Sequence, residues 1–243
     1  MNARLLPPAA RNARDRILDG ALTVIRSKGY SATTVDDLCA AAEVTKGAFF
    51  HHFASKEALA VAAADHWSAL TSALFEAAPY HAAADARDRV LGYLDFRAAI
   101  LQGTVAEYTC LVGTMVQEVH DSNPAIREAC ARSIVGHAAT LEADIGAAIA
   151  ASPRCAGIDA HQLALHTQAV LQGAFILAKA TQDVAAAAAS IGHLRAYFEF
   201  LFDRPQPSGR RASSTTRRKG KPAARRLRRQ RPAAARRDGN RGD

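Results

Sequence analysis

Cysteine is scarce in this chain. Cys39, Cys110, Cys130 and Cys155 are spread over 243 residues with no zinc-like spacing and no pattern of a disulfide framework. No apolar run reaches the roughly 18 residues that a membrane span requires. The opening MNARLLPPAARNAR lacks an apolar core followed by a cleavage site, so a signal peptide is not expected. A glycine-rich phosphate loop, a nucleophile elbow and paired carboxylates in a cleft-like context are all missing. His161 and His166 are neither i, i+3 nor i, i+4 partners, so no helical metal site and no cofactor is expected, and an enzyme has little support. Valine and isoleucine at strand period are rare, and no internal repeat is visible. These absences fit a reducing cytoplasm and a chain without strands.

Alanine and leucine dominate what is present. Hydrophobic residues make up 49% of the chain, enough for a sizeable core, and the expected fold class is all-α. The net charge of +8 conceals a split. Residues 204–243 hold 15 of the 31 bases and two of the 23 acids, leaving 16 bases and 21 acids in residues 1–203. The expected folded body is therefore mildly acidic. The Arg-, Ala- and Pro-rich tail, poor in aromatics and branched aliphatics, is expected to be disordered and able to meet nucleic acid electrostatically. A solubilising extension or contact with acidic partners are the other readings.

Residues 1–12 read as a flexible arm, since Pro7-Pro8 blocks a helix start. Arg4 and Arg11, with Arg14 beyond, could reach a minor groove, although an ordinary frayed terminus is the plainer reading. A first helix is expected from about Asn12 to Lys28, with Ile17, Ala21 and Ile25 in one row beside Leu18 and Leu22. Gly29 suits its C-terminal end.

The stretch from Thr33 to Lys56, TTVDDLCAAAEVTKGAFFHHFASK, then reads as two short helices joined by a tight turn. Thr33 and Thr34 are N-cap residues, Asp36 and Asp37 favour the first turn, and Val35, Leu38 and Ala42 share a face. Thr45 is a second cap. Phe49 and Phe53 should point inward, leaving Lys46, Phe50 and His51 on other faces, with Ala48 small enough for a base edge to approach. Ser55 caps a further helix with Lys56 at its start. A cation is unfavourable there, and a DNA phosphate held jointly by that lysine and the free amides would explain it. A plain helical hairpin, with His51 and His52 as surface or metal-ligand residues, is the alternative. Adjacent histidines point about 100° apart on a helix, which suits a shared metal poorly.

Gly29-Tyr30, Thr33-Thr34-Val35, Ala41-Ala42, Val44-Thr45-Lys46-Gly47, Phe50-His51-His52-Phe53 and Ser55-Lys56-Glu57 occur in fixed order over about 45 residues. In this the chain resembles the DNA-binding domain of the TetR/AcrR family of bacterial transcriptional regulators. The resemblance implies an N-terminal three-helix helix-turn-helix domain followed by a helical ligand-binding and dimerisation domain. It implies that Thr34, Thr45, Lys46, Ala48, Phe50, His51, His52 and Lys56 face double-stranded DNA, and that the last two long helices pair with a second subunit. Two departures stand out. Glu43 replaces a usual turn glycine, and Phe50 replaces a usual tyrosine, removing a hydroxyl but keeping an apolar surface for a thymine methyl.

The expected organisation is thus an arm at 1–12, the helix-turn-helix domain at 13–58, the ligand-binding and dimerisation domain at 59–203, and the tail at 204–243. Helices are expected from Lys56 to about Ala77, Ala84 to Gln102, within 107–121, Asn123 to Ala151, Asp159 to about Gln182, and about Val184 to Phe202. The segment CLVGTMVQEV followed by NPAIREAC resembles a subgroup of the same family. Trp67, Tyr93, Phe96, Met115, Val119, Gln172 and Phe175 are candidates to line an effector pocket, against plain core packing. Cys110, near the expected start of a short helix, and Lys179, on a helix that the resemblance places opposite, are candidates for a covalent switch. The function expected is a homodimeric repressor released by a small molecule or electrophile. An activator or redox-responsive regulator, a nucleoid-type binder acting through the tail, and a thiol enzyme are the alternatives.

Overall fold

The computed structural model describes residues 12–203. Over these the chain forms eleven α-helices and two single-turn 3-10 segments, with no strand among the described residues. The arm expected at 1–12, beyond Asn12, and the basic tail expected at 204–243 lie outside the described residues.

Helix α1 (Ala13–Lys28) begins where the Asn12 side chain accepts the Asp15 amide and ends at Gly29. Its row of Ile17, Ala21 and Ile25 is fully buried, as the spacing predicts. Helix α2 (Val35–Ala42) opens with a reciprocal capping box between Thr34 and Asp37. The departure at Glu43 has a structural consequence. This residue takes the left-handed conformation, φ 53° and ψ 48°, that glycine would adopt without a Cβ penalty. Helix α3 (Lys46–His52) follows, with Thr45 capping the Ala48 amide, and Phe49 and Phe53 turn inward as expected. Ser55 caps α4 (Lys56–Glu76).

Beyond α4 the structure divides two segments that the sequence pattern joins. One helix is expected within 107–121. Instead a single turn, α6 (Val105–Tyr108), is separated from α7 (Leu111–Val119) by extended backbone at Thr109 and Cys110. The long helix expected from Asn123 to Ala151 is α8 (Pro124–Ala139) and α9 (Glu142–Ala150). Between them the Thr140 hydroxyl donates to the His137 carbonyl and the Leu141 amide to that of Ala138, tightening the last turn until it leaves the helix axis. Helix α5 (Ala86–Ala99) is shorter than expected, capped by Asp85. Helices α10 (Ala160–Thr181) and α11 (Val184–Phe202) pack together as the final pair.

Two apolar cores result. The first joins α1–α4 to Leu111, Val112, Met115 and Val119 of α7 and to the start of α8. The second joins the end of α4 to α5 and α8–α11. Packing therefore continues across the expected boundary at residue 58. Polar contacts tie α6 and α7 to α1 as well. The buried Arg26 side chain donates to the Leu22 carbonyl and, at 2.8 Å, to the Glu107 carbonyl, and its guanidinium lies over the Trp67 ring. The Glu118 carboxylate accepts the amides of Tyr30 at 3.0 Å and Ser31 at 2.7 Å. Gly29 lies beneath it at φ 90°, where a Cβ would stand 2.6 Å from Glu118 Oε1. Glycine is required there both by the backbone and by the close carboxylate.

Candidate nucleic-acid interface and effector cavity

Helix α3 is held from behind and bare in front. Phe49 is fully buried, and Phe50 next to it is 52% exposed, with the two rings edge-on at 5.2 Å. Thr34 and Thr45 are exposed and spend their hydroxyls on helix capping. Lys46 is exposed and pairs with Asp36 of α2 at 2.8 Å, and that hydrogen bond raises its pKa. His51 is exposed, His52 half-buried, and their rings meet edge-on at 4.9 Å. Ala48 is half-buried. One short helix thus presents a cation, an exposed apolar ring and imidazoles around a small residue, a set able to meet phosphates and base edges.

Lys56 has partners within the protein. Its ammonium donates to the carbonyls of Tyr30 at 3.1 Å and Thr33 at 2.9 Å and lies 4.4 Å from the Tyr30 ring centre. Those carbonyls hold the cation at the start of α4. Lys56 locks α4 to the α1–α2 turn and thereby fixes where α2 and α3 begin. Arg14, which could have extended the arm, lies over the Phe53 ring.

A cavity with about 630 Å³ of open space, its mouth included, lies among α4, α5, α6, α8 and α10. Of the lining candidates Trp67, Gln172 and Phe175 border it, and so does Cys110. Tyr93 and Met115 do not. Both are fully buried core residues. Phe96 and Val119 also lie off the lining. Phe96 packs against the second core and Val119 belongs to the first. The sequence pattern missed Arg97, Tyr108, His137 and Gln168, which do line it. Single polar residues on otherwise apolar helices carry no periodic signature, and only their convergence in space marks them.

Arg97, His137 and Gln168 join Tyr93 in one network. Arg97 Nε donates to Tyr93 Oη at 2.9 Å, Arg97 Nη2 to His137 Nε2 at 2.6 Å, and Gln168 Nε2 to Tyr93 Oη at 3.4 Å. Burial, and then the charge of Arg97, push the His137 imidazole down to about 3. His137 is therefore neutral and accepts through Nε2.

Cys110 is the N-cap of α7, its Sγ 3.4 Å from the Gly113 amide. It packs against both cores and borders a second, smaller hollow shared with Lys179. The Lys179 ammonium donates to Thr114 Oγ1 at 2.6 Å, and burial lowers its pKa. The pair expected to act together thus borders one hollow.

Among the described residues no cluster of His, Cys, Asp and Glu could hold a metal ion, and no helix is long and apolar enough to cross a membrane.

Residues 17–63 match the family model for bacterial regulatory proteins of the tetR family, and residues 86–194 match that for a tetracyclin repressor-like C-terminal domain. A 54-residue segment is 35% identical to an uncharacterized HTH-type transcriptional regulator of Bacillus subtilis, YerO, over 22% of this chain and 19% of that protein. A 46-residue segment is 37% identical to IcaR of Staphylococcus aureus, a negative transcriptional regulator of the biofilm operon icaADBC, over 19% of this chain and 25% of that protein. These matches span only a fifth to a quarter of the curated relatives' length. Whole-fold similarity is broader. Reduced E. coli NemR superposes with a TM-score of 0.65 at 22% identity, over 76% of this chain and 95% of that one. A TetR regulator of Chloroflexus aurantiacus superposes with 0.66 at 26% identity, over 76% and 93%. Members of the family are transcription regulators, not enzymes. With both halves of its folded body matched by the family's two domain models, this chain belongs to the TetR family of helix-turn-helix transcriptional regulators.

Proposed function

We propose that this regulator is a repressor that binds a near-palindromic operator as a homodimer and is released by a small molecule or electrophile. The observation that carries DNA reading is the outward face of α3, where Lys46, Phe50 and His51 stand exposed on a helix anchored by the buried Phe49. Thr34, Thr45, Ala48 and His52 flank that face, and Lys56 supports it from behind. A dimer sets two such helices about one DNA turn or a multiple apart. The outer surface of α10 and α11 supports pairing. Ile176, Leu177, Tyr197 and Phe200 are exposed there beside small exposed residues such as Ala180, Ala189, Gly192 and Ala196, which let helices approach closely. An activator using the same surfaces is the second reading.

Release is placed at the cavity and at Cys110. The Cys110 sulfur would add to an electrophilic carbon, with Lys179 and Arg26 as the nearby cations. Because Cys110 sits where the two cores meet and α7 carries the Glu118 clamp, a modification there has a direct mechanical route to the α1–α2 turn. The cytoplasm, at the nucleoid, is where such a protein would work.

The test is footprinting on a genomic fragment that carries the chain's own promoter. Phe50→Ala and His51→Ala should each weaken the specific complex about tenfold or more while leaving random-sequence binding within about twofold. Equal loss on both DNAs would argue against base reading by α3. Cys110→Ser should abolish release by electrophiles, and unchanged release would remove Cys110 from the account.

A further inference from the structure

The cavity has a chemistry of its own. Its walls are mostly apolar, from Trp67, Phe75, Ile100 and Phe175, yet a guanidinium enters among them. Arg97 is half-buried, with its charge 4.2 Å from the centre of the Phe75 ring. Every group it is recorded as touching is neutral: the Tyr93 hydroxyl, the His137 imidazole and aromatic faces. Among the described residues no carboxylate forms an ion pair with it, although the chain's other described ion pairs place Arg89, Arg154 and Arg195 directly on acids. A guanidinium held in an apolar wall without a counter-ion is a costly arrangement that an anion would relieve. The network also fixes its orientation. Nε and Nη2 are occupied by Tyr93 and His137, and no bond is recorded for Nη1.

A second, independent observation comes from Tyr108. It lines the same cavity at 9% exposure, and its hydroxyl is fully buried with no hydrogen-bond partner. A buried donor left in this way calls for an acceptor. The acid in the lining, Glu107, does not supply one. Its carboxylate is bound to the Thr104 amide at 2.7 Å in the α6 capping box, and hydrogen bonds from Thr104 hold its pKa below the ordinary carboxylate range.

We infer that the cavity takes a small organic monoanion, an apolar aromatic or short aliphatic body bearing a carboxylate, with the carboxylate against Arg97 and also accepting from the Tyr108 hydroxyl. The apolar body fills the space between Trp67, Phe75 and Phe175. This deepens the proposed release by a small molecule and rests on that reading for its consequence on DNA, but the site itself can be tested alone.

The chain has one tryptophan, and Trp67 lines the cavity, so its fluorescence reports occupancy directly. Full-length protein is titrated with 3-phenylpropionate and hexanoate and with their primary amides, which keep shape and remove charge. The acids should bind at least about tenfold tighter than the amides, the range for a hydrogen bond to a charged group. Arg97→Gln should bring that ratio to about one, and Tyr108→Phe should weaken acid binding while keeping the preference for acid over amide. Circular dichroism and a thermal melt establish that each variant is folded. If Arg97→Gln does not fold, the wild-type ratio and the Tyr108→Phe titration decide. Equal binding of acids and amides, or no binding of either acid, overturns the inference and leaves release by another ligand standing. Tight acid binding without any effect on the DNA complex supports the inference and removes the acid-release reading instead.

Discussion

At the scale of single residues, Glu43 and His137 offer tests of backbone strain and of titration. Glu43 occupies the left-handed region between α2 and α3, where a Cβ costs roughly 1 kcal/mol. Glu43→Gly should raise stability by up to about 1 kcal/mol in urea unfolding, the gain in folded-state ease being offset in part by a freer unfolded chain. A loss of stability would mean that the Glu43 side chain makes a contact worth more than the strain. His137 gives a pH signature. Its folded pKa, about 3, lies below that of an unfolded imidazole, about 6.5, so the unfolded chain binds the proton first as pH falls. The stabilisation is complete above about pH 6.5 and erodes towards pH 3, by about 2–3 kcal/mol between pH 6.5 and 4.5. Urea unfolding at those two pH values should show a smaller acid loss for His137→Gln than for the natural chain. An identical loss would place the acid sensitivity in other groups. The family resemblance marked Glu43 as a departure, because glycine is usual at that turn position. Residue-level reading of the sequence did not place the Lys56 ammonium on the Tyr30 and Thr33 carbonyls, because which carbonyls come near an ammonium is settled only by the fold.

At the scale of elements, helices with strong punctuation were legible. Thr34, Thr45, Ser55, Asn123 and Asp159 cap the helices that follow them, and Asn12 caps the first helix near the start expected for it. The breaks at Thr109-Cys110 and at Thr140-Leu141 have no glycine or proline to announce them. Thr104 and Glu107 do spell a capping-box pattern ahead of α6, so that turn had a readable start. Cysteine is not among the usual N-cap residues, so although Cys110 was expected near a helix start, its role as the cap of a separate α7 was not legible. The cavity owes its position to this break, since Tyr108 and Cys110 stand on its two sides. The outer face of α10 and α11 permits a clean test of pairing. A Cβ at Gly192 would meet nothing within 4 Å in the isolated chain. Gly192→Glu should therefore leave the monomer folded, with a melting temperature at least that of a glycine-containing helix, yet shift sedimentation from dimer to monomer. A dimer that persists unchanged would move the subunit interface elsewhere.

At the scale of the whole molecule, sequence and fold carry opposite charge messages. The folded residues up to 203 are net acidic, whereas the last 40 residues hold 15 bases. DNA affinity could therefore come from shape and base contacts on α3 or from bulk electrostatics of the C-terminal segment, and the two differ in salt dependence. The fold favours the first. Lys56 ties α4 to the α1–α2 turn, the Glu118 clamp ties that turn to α7, and Cys110 touches both apolar cores, so under the proposed function a ligand in the body would act on a reading head already braced by these contacts. The measurement that tests this most directly compares DNA binding by the full-length chain and by residues 1–203, on the chain's own promoter fragment with random-sequence competitor, at two salt concentrations. The account predicts a discrete, competitor-resistant complex with residues 1–203 alone. If three C-terminal charges meet phosphates, the full-length protein should show a log–log salt slope steeper by roughly 2.7. Binding by the full-length chain only, without sequence preference and with steep salt dependence, would contradict the claim that α3 reads DNA.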